Sequence, residues 1–282
     1  MKIVTTIEEI KKEIDLKKKE GKTIGFVPTM GYLHEGHLSL VERAKQANDV
    51  TVMSVFVNPL QFGPNEDYQT YPRDIKRDEE LARQKGVDLF FAPTKEEMYP
   101  EEPAVTVKVT KRVDVLCGKS RPGHFDGVAT VLTKLFHIIT PDRAYFGLKD
   151  AQQVAVVTAL IKDLNFPIEI VPVETVREED GLAKSSRNVR LDEQERKEAV
   201  HLYQSLLMAK EMVENKVHDQ EAIIEKMRAY ITEKTSGEID YIDILTYPDL
   251  KKPNALTGKI IVAIAVKFKH ARLIDNIIID LT

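Results

Sequence analysis

The chain holds a single cysteine, Cys117, among 282 residues, so no intrachain disulfide can form. That usage fits a reducing compartment. Blocks of one charge sign are also missing: beyond Lys17–Lys19 no basic run appears, and the net charge is only −4. Sequence-independent binding to a phosphate backbone needs a basic footprint, so nucleic acid is not an expected partner. A small anionic substrate held by a few local cations stays open. The longest apolar runs, around Val55–Val57 and across Ile260–Val266, are strand-sized and far short of a membrane span. The opening "MKIVTTIEEIKKEIDLKKKE" mixes both charge signs and lacks the apolar core of a signal peptide. The expectation is a cytoplasmic protein without a membrane partner.

Two familiar phosphate-binding fingerprints are absent as well. Gly21-Lys22-Thr23 and Gly118-Lys119-Ser120 imitate the end of a P-loop, but the glycine required five residues earlier is replaced by Leu16 and Val113. No G-x-G-x-x-G pattern follows a strand. A nucleotide, if bound, must be held another way.

What is present is an ordinary globular composition, 43% apolar and 30% charged. "TIGFVP" reads as a buried strand, "HLSLVERAKQAN" as a helix and "DVTVMSVFV" as a second strand. That order within about thirty residues marks a parallel crossover unit. The alternation continues through a helix near Asp74–Lys85, "VDLFFAP", "AVTVKV" at Ala104–Val109, a helix near Gly127–Ile139, "RAYFG", a helix from Ala151 and "IEIVPV". The expected class is α/β: a Rossmann-like doubly wound parallel sheet over residues 1–176, with ligands beyond the carboxyl ends of its strands. After about Thr175 the texture changes. Asp192 and Glu195 form a capping box before a long helix, a second helix follows, and three strands close the chain. Residues 177–282 are expected to form a smaller α+β C-terminal domain.

"PTMGYLHEGHLSL" stands where the first strand meets its helix. His34 and His37 share one side of a helical turn, at a helix start that favours an anion. Gly36 would let a nucleotide approach the backbone closely. Two imidazoles there suit a phosphate on which charge builds. Gln61, in the loop after the second strand, suits a hydroxyl or carboxylate. After "YFG", Gly147 allows a tight turn, Lys149 is a compact cation for phosphate, Asp150 suits ribose hydroxyls and Gln153 falls one turn into the next helix. "GLAKSSRN" sets Lys184 and Arg187 beside Ser185 and Ser186, a polar loop that suits outer phosphates and closure over them.

In combination, "PTMGYLHEGHLSLV", "FVNPLQFGPNEDYQTYPRD", "CGKSRPGHFDGVATVLTKLF", "AYFGLKDAQQ" and "GLAKSSRN" resemble the pantothenate synthetase (pantoate–β-alanine ligase) family, within the wider group of HIGH-motif nucleotidyltransferases and class I synthetases. "RLIDN" at Arg272–Asn276 resembles that family's C-terminal strand. The resemblance implies two steps. Pantoate attacks the α-phosphorus of ATP to give pantoyl adenylate and pyrophosphate; β-alanine then attacks the acyl carbon, releasing pantothenate and AMP.

Its residue implications are specific. ATP would be contacted by Met30, Gly31, Tyr32 and Leu33, then by His34, Glu35, Gly36 and His37. Gly147, Leu148, Lys149 and Asp150 would also hold it, with backbone at Val176 toward adenine and Lys184, Ser185, Ser186 and Arg187 on the outer phosphates. His34, His37 and Lys149 would be catalytic. Gln61 and Gln153 would bind pantoate, and Gln61 would face β-alanine as well. Mg2+ would accompany ATP, with Asp78 near the metal, and a homodimer is expected. Two positions depart from the family pattern: Tyr32 replaces a small residue and Lys184 replaces a common methionine. Rival readings are another HIGH-motif nucleotidyltransferase acting on a phosphate ester, a class I aminoacyl-tRNA synthetase relative, and a nucleotide sensor without turnover. The neutral amides Gln61 and Gln153 argue against the first, because a phosphate ester calls for cations.

Overall fold

β-Branched and aromatic residues concentrate in short runs, and these become the strands of a buried sheet. The computed structural model describes residues 1–64 and 66–281; Asn65 and Thr282, which carry no site expectation, lie outside them. The strands are β1 (Lys2–Val4), β2 (Ile24–Thr29), β3 (Val50–Val55), β4 (Leu89–Phe91), β5 (Arg143–Gly147) and β6 (Glu169–Val173). They pair in the order β1-β4-β3-β2-β5-β6, and all pairs are parallel. The connecting helices are α1 (Ile7–Lys19), α2 (Glu35–Ala47), α3 (Ile75–Gln84), α4 (Lys95–Met98), α5 (Leu116–Ser120), α6 (His124–Ile139) and α7 (Ala151–Asp163). Val27, Leu33, Val41, Met53, Phe90 and Tyr145 form one of the packed cores.

The strand order decides where a ligand belongs. From β2 the chain steps outward through β3 and β4, then returns to place β5 on the other flank of β2. The reversal lies between β2 and β5, whose carboxyl ends are Thr29 and Gly147. A crevice at such a switch point is the default ligand site of an open α/β sheet. The segments carrying His34 and Lys149 begin at those two ends.

One local expectation needs correction. "AVTVKV" does not join the sheet. The N–H groups of Val107 and Val109 instead donate to Thr130 Oγ1 (2.9 Å) and Asp126 Oδ1 (2.8 Å) on α6, so helix side chains replace a strand partner. In the other direction, the N-terminus supplies β1 and α1, for which the sequence raised no expectation. α1 carries its own signal: Thr6 caps it by accepting from the Glu9 N–H, and Ile10 and Ile14 are buried one turn apart.

The second unit holds α5, α8 (Glu193–Glu214), α9 (Gln220–Lys234) and an antiparallel sheet β7 (Glu238–Thr246), β8 (Gly258–Lys267), β9 (Arg272–Leu281) in that order. The expected capping box forms: Asp192 accepts from the Glu195 N–H at 2.8 Å, and Glu195 accepts from the Asp192 N–H at 3.1 Å. Leu202, Leu206, Ile223, Met227, Val262 and Ile264 belong to its core. The two compact units do not follow one cut near residue 176. Arg112–Ser120 and Lys149–Ala155 belong with the chain from Thr175 onward. The reason is apolar burial: Leu116, Ala151 and Ala155 pack with Leu245, Leu250, Ile261 and Ala263. The class is the expected one, a Rossmann-like parallel sheet and a smaller α+β unit.

Candidate active site

The β2–α2 connection is tight. Gly31 (φ 84°) and Tyr32 (φ 51°) both adopt left-handed backbone, strained for the tyrosine. Asp78, from α3, anchors the turn: its two carboxylate oxygens accept from the N–H groups of Tyr32 and Leu33, each at 2.7 Å. A Cβ at Gly31 would crowd Asp78 Oδ2 and Val55, so glycine is required there twice over. The Arg77 guanidinium lies over the Tyr32 ring at 5.1 Å.

His34 is the N-cap of α2, and His37 stands three residues in. His34 Nδ1 accepts from the Gly36 N–H at 3.2 Å, and His37 Nδ1 accepts from the His34 N–H at 3.3 Å. The rings lie 4.0 Å apart. Each ring therefore uses Nδ1 as an acceptor, and in the neutral form its proton lies on Nε2. The pair is both a capping device and two imidazole donors at a helix N-terminus, where the backbone dipole favours an anion.

Gln61 sits in a short 3₁₀ turn, Pro59–Gln61, after β3, and is only 8% exposed. Its side chain is held at both ends. Asn58 Nδ2 donates to Gln61 Oε1 at 3.1 Å, and Gln61 Nε2 lies 3.3 Å from the Met30 sulfur. The structure thus joins the β2 loop to the Gln61 turn. Asn58 also donates to the Gly127 carbonyl on α6 at 3.1 Å. Gly127 permits that approach, since a Cβ there would collide with the Leu60 carbonyl. The Gln61 carbonyl itself meets His124 Nδ1 at 2.8 Å and Arg121 at 3.4 Å, and Arg121 pairs with Glu66. Burial pushes the Glu66 carboxyl up, but the Arg121 bonds outweigh it and hold it below its usual range. The sequence assigns no role to Asn58, Glu66, Arg121 or His124, although all four lie in the segments that carry the family resemblance. Only their tertiary contacts give them one.

In the second unit, Lys149 and Asp150 form a loose pair, Nζ to Oδ2 3.8 Å. Asn276, the last residue of "RLIDN", donates to the Lys149 carbonyl at 2.9 Å. Its neighbour Asp275 takes two bonds from Arg177, at 2.6 and 3.0 Å, and Arg177 stacks on Tyr203. The Val176 carbonyl accepts from the Lys184 N–H at 2.9 Å. Lys184 Nζ pairs with Glu178 at 2.8 Å. Ser185 Oγ accepts from the Arg187 N–H at 3.3 Å, Ser186 is buried, and Asn188 donates to the Ala183 carbonyl at 3.0 Å. The "GLAKSSRN" loop is therefore an internally bonded turn, not the loose linker that a polar basic stretch suggests. Gln153 is half-buried in the first turn of α7. Gly147 is not needed for a left-handed turn, since its φ is not positive; the space where a Cβ would stand is open.

The metal expectation at Asp78 fits poorly. The side chain is 1% exposed, and both oxygens already accept backbone N–H bonds. Mg2+ prefers a strict octahedral shell that keeps several waters, whereas this carboxylate is committed to two backbone N–H groups. Burial pushes the Asp78 carboxyl up against the pull of the Leu33 and Tyr32 N–H groups. Among the described residues, Asp192, Glu195 and His270 are the one cluster with metal-ligand spacing. Their atoms serve α8 instead: His270 Nδ1 and N–H meet Glu195 at 2.8 and 3.2 Å.

The sequence matches the family model described as Pantoate-beta-alanine ligase across residues 2–278. It is 61% identical over 281 residues to the pantothenate synthetase of Geobacillus sp. (strain WCH70), covering 100% of both chains. The fold matches the crystal structure of pantothenate synthetase from Thermus thermophilus with a TM-score of 0.93 at 46% identity, over 98% of this chain and 99% of that one. It also matches pantoate-beta-alanine ligase from Francisella tularensis, solved in complex with Beta-gamma ATP and Beta-alanine, with a TM-score of 0.81 at 35% identity, over 98% and 97%. Sequence, topology and the paired imidazoles at the switch point lead to one conclusion: this chain belongs to the pantoate–β-alanine ligase family.

Proposed function

We propose that this chain uses ATP to join pantoate to β-alanine by way of a pantoyl adenylate. The observation that carries this is the His34–His37 pair, with Nδ1 of each ring engaged at the start of α2 beyond the end of β2. A pantoate carboxylate oxygen bonds to the α-phosphorus of ATP, and the bond to the bridging oxygen breaks, releasing pyrophosphate. The β-alanine amine then bonds to the acyl carbon, AMP leaves, and the amine proton passes to solvent.

In this reading the Nε2 protons of His34 and His37 meet the oxygens on which charge builds. Lys149 neutralises phosphate as the third catalytic group. Met30–Leu33, Glu35, Gly36, Gly147 and Leu148 shape the nucleotide site, Asp150 takes the ribose hydroxyls and backbone at Val176 meets adenine. Lys184, Ser185, Ser186 and Arg187 hold the outer phosphates, which requires Lys184 to leave Glu178. Gln61 and Gln153 bind pantoate, and Gln61 then faces β-alanine. The smaller unit serves as a lid that keeps water from the adenylate. Mg2+ arrives with the triphosphate. The protein works as a cytoplasmic homodimer; among its described residues no helix is long and apolar enough to cross a membrane.

Phosphorus NMR with ATP, Mg2+, pantoate and β-alanine, omitting each acid in turn, tests the route. AMP and pyrophosphate are expected in quantity only with both acids. Exchange of labelled pyrophosphate into ATP is expected with pantoate alone. ADP and phosphate as products would replace the adenylate by an acyl phosphate. Pyrophosphate release with a phosphate-ester acceptor alone would move the chain to nucleotidyl transfer. Sedimentation equilibrium checks the dimer.

A further inference from the structure

Gln61 is asked to present one amide to two successive substrates, yet it sits on a turn of only three residues, Pro59–Gln61. Such a turn has little stiffness of its own. What holds it lies on α6 and just before it. His124 Nδ1 stands 2.8 Å from the Gln61 carbonyl, and Arg121 stands 3.0 Å from His124 Nε2.

These two contacts define the proton positions. A carbonyl oxygen only accepts, so His124 Nδ1 carries the hydrogen. A guanidinium only donates, so His124 Nε2 accepts. The imidazole is thus a neutral ring in one tautomer, passing a hydrogen bond from Arg121 to the Gln61 main chain. Glu66 fixes the far side of Arg121 through Nε at 2.7 Å and a second bond at 2.5 Å. The pattern of carboxylate, guanidinium, imidazole and carbonyl is directional from end to end. Asn58, which also donates to the Gly127 carbonyl, holds the side-chain end of the same residue.

We propose that His124 is a positioning residue: by donating from Nδ1 to the Gln61 carbonyl, in the tautomer that Arg121 and Glu66 impose, it sets the orientation of the Gln61 amide toward pantoate. The proposal rests on the reading of Gln61 as a pantoate ligand. Misplacing a binding group by a fraction of an ångström weakens the interactions that orient the substrate while leaving the nucleotide site untouched.

The test is steady-state kinetics on the full-length protein, reading pantoate KM, ATP KM and kcat. His124→Ala is expected to raise pantoate KM about tenfold with ATP KM changed less than about twofold. His124→Asn places an amide N–H near the Nδ1 position and is expected to stay within about threefold of the parent, whereas His124→Gln, which mimics Nε2, is expected to behave like alanine. In a Gln61→Ala background, adding His124→Ala is expected to cost less than about twofold more, because the histidine acts through Gln61.

Equal damage from asparagine and glutamine, or equal rises in both KM values, would overturn the proposal in favour of a purely structural histidine. So would full additivity with Gln61→Ala. Gln61→Ala that leaves pantoate KM unchanged would instead refute the reading of Gln61. Gln61→Ala that raises it while His124→Ala does not would refute the positioning role alone. Circular dichroism confirms folding; if the alanine variant fails to fold, the asparagine–glutamine comparison decides.

Discussion

A single carboxylate illustrates how burial converts a residue type into a role. From the family resemblance, Asp78 is expected near a metal. In the structure it is enclosed, and its oxygens set the left-handed turn at Gly31 and Tyr32 that delivers His34 to the α2 terminus. Asp78→Asn turns an N–H donor toward a backbone N–H. Its ATP KM is expected to rise about tenfold, while the Mg2+ concentration for half-maximal rate shifts less than about twofold; a steep new Mg2+ requirement would restore the metal role. His37 is the opposite case, since it bonds a backbone N–H only three residues away. His37→Ala is expected to lower the rate of pyrophosphate exchange by about 10²–10³-fold, with loss of about 1 kcal/mol of stability from the His34 N–H contact. Exchange kinetics and thermal unfolding read the two separately.

Elements meet through glycines and through buried charge. α6 lies against the Pro59–Gln61 turn because Gly127 has no side chain. Gly127→Ala is expected to cost about 1–3 kcal/mol in urea unfolding, as overpacking does, and to raise pantoate KM by displacing the turn. In the small unit, Asp240 on β7 ties its sheet to α5: Arg272 of β9 at 2.7 Å, Lys267 of β8 at 2.7 Å and Ser120 at 2.9 Å all converge on it. Burial pushes the Asp240 carboxyl up, but the bonds from Lys267, Arg272 and Ser120 win and hold it at about 2. Because the folded value is depressed, the stabilisation is complete above the ordinary carboxylate range and is lost as pH falls from about 4 toward about 2. Asp240→Asn is expected to remove about 2 kcal/mol at neutral pH and to flatten that part of the acid-unfolding curve. Unfolding of both proteins across pH 2–7 measures it; parallel curves would exclude the effect.

At the scale of the molecule, the compact units interleave along the chain. Leu116, Ala151 and Ala155 lie early in sequence but bury their side chains with β7 and β8. A fragment ending at Glu174 would keep the parallel sheet yet expose that apolar set. Such a fragment is expected to bind the dye ANS and to aggregate, in contrast to the full chain; a soluble monomer with a sharp thermal transition would show that the parallel unit needs no such cover.

Much of this is legible in the residues. Period-two and helical spacing report which face of an element is buried, so the alternation of strands and helices, the capping box at Asp192 and the change of texture near Thr175 can be read directly. Chain order alone places the histidine pair, Lys149 and the Gln61 loop at strand ends. Local signals fail where the deciding partner is remote. "AVTVKV" has strand composition, but α6 supplies its hydrogen bonds. Lys149 and Gln61 stand out as residue types; Asn276, Asn58 and His124, which hold them, do not. Residue order was enough for the class and the family and to single out candidate side chains, because those depend on short spacing and residue type. It took the folded chain to show that Asp78 holds a turn, that His124 carries its proton on Nδ1, and which early segments join the second core. Those facts depend on contacts across tens of residues, where geometry and desolvation choose among the roles a side chain is able to play.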